Sequence, residues 1–145
     1  MFGERTDEIA RRLEACAKGA EALIVQGGIN DIAQGHPTVQ AAAQLRAMVA
    51  RGRELGLEVF LANLLPWNNG HPDADEPIAE LNRLIARIGS DDHVPVLDFH
   101  GALADPGDPA LMAPELTADG DHPSIAGYRR LGELVAERLE RLGIR

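Results

Sequence analysis

An aspartate followed three positions later by a histidine can build a general base, and Asp119-Gly120-Asp121-His122-Pro123-Ser124 offers that pairing. In an irregular loop a tight turn brings the Asp119 carboxylate onto one imidazole nitrogen. That contact fixes the tautomer and leaves the other nitrogen to take a proton. On local grounds alone the stretch also reads as an acidic loop entering a helix, with Ser124 as the N-cap and the carboxylates solvated. A second candidate is Gly27-Gly28-Ile29-Asn30-Asp31, at the end of an apolar run. Paired glycines let the backbone turn sharply and leave room for a close ligand. An Asn side chain there can donate N–H into a cleft, and Asp31 can accept from nearby backbone donors. The competing reading is a plain turn, which favours the same residue types.

These groups need a scaffold, and the hydrophobic periodicity supplies one. Helical patterns are expected from Thr6 to about Gly19, from Thr38 to Leu55, over about Glu76 to Ile88, and from Ile125 to Leu142. Thr6 is the expected N-cap of the first, with Asp7 and Glu8 in its first turn, and Gly56 closes the second. Cys16 falls on the first helical pattern and is expected as a small buried thiol. Between the helices, Ala22–Val25, Leu57–Ala62 and Val94–Asp98 read as short buried strands. Alternating strand and helix predicts a parallel sheet with helices on both faces, and functional loops at the carboxyl ends of the strands.

With 145 residues the chain is expected to form one domain, 1–145. Aromatic residues make up 3%, so the core must be aliphatic. A net charge of −9, spread along the chain, argues against a nucleic-acid partner, which would need a basic face. The single cysteine excludes an internal disulfide and a multi-cysteine zinc site. Asp98, His100, Asp119, Asp121 and His122 lack His-x-x-x-His spacing, so no metal is assigned. The loops hold no phosphate cradle, and no cofactor is expected. No apolar run approaches the roughly 20 residues that span a bilayer. Met1–Thr6 has no apolar leader core, so the chain as it stands is of cytoplasmic type.

Taken together, the two motifs carry a resemblance. Gly28-Ile29-Asn30-Asp31 resembles the Gly-x-Asn-Asp block of the SGNH/GDSL serine hydrolases. Asp119-Gly120-Asp121-His122-Pro123 is similar to their Asp-x-x-His-Pro block, with Gly127-Tyr128 opening the last helix. Gly3–Ile9 resembles the segment after the family's second strand, and Leu64-Leu65-Pro66-Trp67 the substrate-side loop after its fourth. The resemblance implies a flavodoxin-like α/β/α fold that hydrolyses carboxylic esters or thioesters without metal. It makes His122 the base and Asp119 its orienting partner. Asn30 and the Gly3 N–H become oxyanion donors, Gly28 borders the substrate, a small-molecule ester, and Trp67 is either a wall of its acyl pocket or a loop anchor.

The family's Gly-Asp-Ser block has no counterpart, and the strands that precede the first helix are expected to be missing. The sequence holds only Ser90 and Ser124. Ser90 is expected in a turn before the third strand and Ser124 as a helix cap, so neither is assigned as nucleophile. An N-terminally truncated, inactive or impaired esterase is the expected reading. The alternative is a non-catalytic module that binds esters or acetylated glycans, or a subunit whose partner supplies the serine. An unpaired edge on Ala22–Val25 would invite self-association.

Overall fold

The computed structural model describes residues 3–143. In chain order the elements are α1 (Thr6–Ala17), β1 (Ala22–Val25), α2 (Ile29–Ala33), α3 (Thr38–Glu54), β2 (Glu58–Ala62), a 3-10 turn (Asn68–Gly70), α4 (Asp75–Asp91), β3 (Val96–Leu97), α5 (Phe99–Leu103) and α6 (Ile125–Arg141). The strands form a parallel sheet in the order β1-β2-β3. β1 and β2 run in register from Ala22 opposite Glu58 to Val25 opposite Leu61. Four of the five β2 residues are buried, as expected for a central strand covered on both faces. The Leu61 N–H donates to Pro95 O at 3.0 Å, at the entry to β3. Among the described residues, no helix is long and apolar enough to cross a membrane.

The chain divides into two compact units, Met1–Leu64 with Glu76–Val96 and Leu65–Asp75 with Leu97–Arg145. In the first, α1 packs on α3, and α3 packs on β1 and β2. Its core is aliphatic apart from Phe60, with Leu45, Met48, Val49, Leu61, Leu81 and Ile85 almost fully buried. In the second, α5 packs on α6, and Leu103, Met112, Ala113, Leu116 and Leu131 are buried.

Several local expectations change in the structure. Arg5, not Thr6, is the N-cap of α1, and Thr6 is its first helical residue. The Arg5 N–H is closed off by the Glu8 carboxylate at 3.0 Å. Thr6 is inside the helix because its N–H and hydroxyl are taken by a carboxylate from elsewhere in the chain. Cys16 is exposed rather than buried, since α1 turns Leu13 and Ala17 inward instead. Its sulfur lies 3.1 Å from Arg12 Nη1. Ser90 sits in the last turn of α4, which runs further than its apolar pattern. The short helices α2 and α5 have too few residues to show a helical period.

Among the described residues, β1 pairs on one side only. Its Ile24 is 37% exposed, beside a groove lined by Ile9, Leu13, Leu23, Val25 and Met48. Unpaired strand groups flanked by apolar side chains favour pairing with another chain. Sedimentation velocity of the purified chain is expected to show dimers or larger species. Ile24→Lys, which puts a charge on that edge, is expected to return it to monomer. A compact monomer at every concentration would refute the expectation.

Candidate functional site

In the first unit, the residues after β1 organise the segment that leads into α1. Gly28 is the N-cap of α2 at φ 121°, a conformation that side chains with a Cβ rarely adopt. It also lies so close to α4 that a Cβ there would sit 2.4 Å from Leu81 Cδ2. The glycine is therefore required by packing as well as by the turn.

Two residues on, Asn30 is half-buried, and its Nδ2 donates to Glu4 O at 2.9 Å. From the same helical turn, Asp31 is only 5% exposed. Its Oδ2 accepts the Thr6 N–H at 2.9 Å and its Oδ1 the Thr6 hydroxyl at 2.8 Å. The carboxylate thus closes the start of α1, where the helix dipole also favours a negative charge. That pairing explains how an acid tolerates burial. Just past α2, Gln34 Nε2 donates to Gly3 O at 3.2 Å, and Arg5 Nη1 donates to Gln34 Oε1 at 3.0 Å. Asn30, Asp31 and Gln34 together hold residues 3–6, so Asn30 and the Gly3–Glu4 backbone lie in one neighbourhood. Gly3 is exposed, with φ +77°. Glu4 pairs with Arg12 at 2.6 Å, and the guanidinium bond holds its carboxyl below the usual range.

The second unit holds the aspartate–histidine pair. Asp119 Oδ2 lies 2.9 Å from His122 Nδ1, and its Oδ1 accepts the backbone N–H groups of Asp121 (2.9 Å) and His122 (2.8 Å). One carboxylate therefore sets both the loop and the ring. The bond to His122, followed by the two backbone N–H groups, pulls the Asp119 carboxyl down to about 2. Asp119 is accordingly ionised throughout the neutral range. Both side chains are exposed by more than half. Thr117 braces the turn, its hydroxyl donating to His122 O at 3.1 Å and accepting the Gly120 N–H at 2.9 Å.

Trp67 lies in this unit too, and it anchors a loop. Its Nε1 donates to Asp121 Oδ1 at 2.5 Å, and Gly70 lies against the indole, where a Cβ would come within 2.2 Å of Cε3. Asn69 Nδ2 donates to Asp119 O at 3.0 Å and to Asp121 Oδ1 at 2.9 Å. The backbone N–H groups of Asn68 and Asn69 both donate to Gly120 O. Sequence reasoning missed Asn68, Asn69 and Thr117, since Asn-Asn-Gly is an ordinary turn sequence and a lone threonine carries no signal.

Of the five residues considered as a metal set, Asp119, Asp121 and His122 come together among the described residues, their ligand atoms within 4.8 Å of one another. All three are exposed, and both carboxylates are already engaged by N–H donors. Ser124 caps α6, its hydroxyl accepting the Gly127 N–H at 3.2 Å and donating to Glu115 O at 2.8 Å. Ser90 is exposed at the end of α4. His71 Nδ1 is 2.8 Å from Asp75 Oδ2, His100 Nε2 is 3.0 Å from Pro109 O, and His36 and His93 are exposed.

The model of the GDSL-like lipase/acylhydrolase family matches residues 2–130. Solved structures share the fold. A GDSL-like lipase from Bacteroides thetaiotaomicron superposes with a TM-score of 0.88 at 19% identity, over 97% of this chain and 73% of its own. A Bacteroides fragilis protein assigned as an acylhydrolase gives 0.87 at 21% identity, over 97% and 72%. The psychrotrophic esterase EstA from Pseudoalteromonas, in a structure inhibited by monoethylphosphonate, gives 0.71 at 19% identity, over 97% and 73%. No curated protein matches the sequence at a significant level.

Proposed function

The chain belongs to the GDSL-like lipase/acylhydrolase family, and from that premise we propose that it carries the proton-handling and oxyanion groups of a carboxylic-ester hydrolase without a working nucleophile. The observation that supports this reading best is the Asp119 carboxylate on His122 Nδ1 at 2.9 Å. With Nδ1 held, Nε2 is the nitrogen left to take a proton from an attacking hydroxyl and return it to the departing alcohol. The bond to Glu4 O uses one of the two hydrogens on Asn30 Nδ2. The second hydrogen and the Gly3 N–H are the donors for the oxygen of a tetrahedral intermediate. The substrate is a small carboxylic ester.

The nucleophile is the weak point. The Ser124 hydroxyl is engaged both as donor and as acceptor, and Ser90 is a surface residue at a helix end. That observation favours a second reading, a non-catalytic module that binds esters or acetylated sugars through the same groups.

Both readings meet one experiment in two parts. Fluorophosphonate labelling followed by intact mass is expected to leave Ser90 and Ser124 unmodified. An adduct on either that disappears in His122→Ala would overturn the missing nucleophile and make the chain an esterase in its own right. In the second part, a short-chain ester is titrated against the 15N-labelled chain, and resonances of both Asn30 and His122 are expected to move. If neither moves, the acyl-ester reading fails in both forms.

A further inference from the structure

Asp119, Asp121 and His122 place two carboxylates around one imidazole, with ligand atoms within 4.8 Å. Among the described residues, it is Asp119 that makes the bond to Nδ1. Asp121 is one residue from the ring and also exposed to solvent, so something must keep it from competing. The structure shows what does. Asp121 Oδ1 accepts from Trp67 Nε1 at 2.5 Å and from Asn69 Nδ2 at 2.9 Å. Asn69 reaches Asp119 O with the same nitrogen, and the N–H groups of Asn68 and Asn69 converge on Gly120 O between the two acids. Asn68 secures the clamp from behind, its side chain exchanging two hydrogen bonds with the Met112 backbone, at 3.1 Å and 2.7 Å.

We infer that Trp67 and Asn69 are positioning residues for the Asp119–His122 pair, acting by holding Asp121 away from the imidazole. The inference rests on the reading of His122 as the base, and it deepens that reading. Which ring nitrogen carries the proton depends on the bond that the other nitrogen makes. A single carboxylate on Nδ1 keeps the proton there and Nε2 open. A released Asp121 offers a second acceptor to whichever ring nitrogen it reaches, and the tautomers mix. Two donors on one carboxylate oxygen are charge-assisted bonds, so removing both frees the side chain. Trp67→Phe removes the N–H donor and leaves a smaller aromatic side chain beside Gly70.

The test reads the ring itself. Long-range 1H–15N correlation of His122 at mildly alkaline pH reports the tautomer directly, even where the N–H exchanges with solvent. The unsubstituted chain is expected to show the Nδ1–H form. Trp67→Phe/Asn69→Ala is expected to lose that preference while its circular dichroism stays native. Adding Asp121→Asn to the pair is expected to restore the preference, because the competing charge is gone. A folded double variant that keeps the Nδ1–H form overturns the inference, and so does a loss that Asp121→Asn fails to rescue. Should the double variant fail to fold, Trp67→Phe alone decides by the same reading. None of these readouts uses an ester, so failure here is distinct from failure of the ester titration.

Discussion

Asp31→Ala is expected to lower the stability of the chain by about 3 kcal/mol, an effect of the size seen when a buried charged hydrogen-bond partner is removed. The residue is 5% exposed and Thr6 is 1% exposed, so water cannot replace the lost carboxylate. Two donors, the Thr6 N–H and the Thr6 hydroxyl, would be left without an acceptor. For a domain of this size that loss corresponds to a fall in Tm of roughly 10 °C. Asp31→Asn retains one acceptor oxygen and should fall between the two. Urea unfolding checks both substitutions, and a cost below about 1 kcal/mol would show that the carboxylate is not what starts α1. Faster hydrogen exchange at Thr6 in Asp31→Ala is expected to accompany the loss, since the same bond protects that amide.

Gly28→Ala should be at least as damaging, for an unrelated reason. The new Cβ would stand 2.4 Å from Leu81 Cδ2, and Leu81 is wholly buried. At φ +121° the backbone itself disfavours any side chain. Backbone strain of about 1–3 kcal/mol adds to overpacking of about 1–3 kcal/mol, giving roughly 4 kcal/mol. The two parts can be separated. Leu81→Ala removes the clash but leaves the strain, so the double variant is expected to be less destabilised than the sum of the single changes. Strict additivity would mean that α4 and the start of α2 do not meet as described.

The two substitutions also divide the Gly-x-Asn-Asp block by physical role. Gly28 is there because α2 approaches α4 closely, and Asp31 because α1 needs an acceptor at its start. Asn30 is the residue of the block with N–H capacity remaining after its structural bond. Most of the block therefore serves architecture, and the chemistry proposed for it rests on Asn30.

The elements that depend on neighbours in sequence were legible from the residues alone. Apolar periodicity placed the long helices α3, α4 and α6 and the strands β1 and β2 to within a few residues. Gly56 takes a positive φ after α3, and Ser124 caps α6, because both effects act within one turn of chain. The pairing of Asp119 with His122 was readable for the same reason, since an acceptor three residues away is reached by a turn that the intervening residues build. Tertiary structure decided everything that depends on a partner far along the chain. Asp31 caps a helix 25 residues before it, and Trp67 holds a carboxylate 54 residues after it. Cys16 turned outward because α1 buried Leu13 and Ala17 instead. Periodicity says which face of a helix is apolar, but only the packing of neighbouring elements selects which residues on that face are covered and which distant donor meets which acceptor.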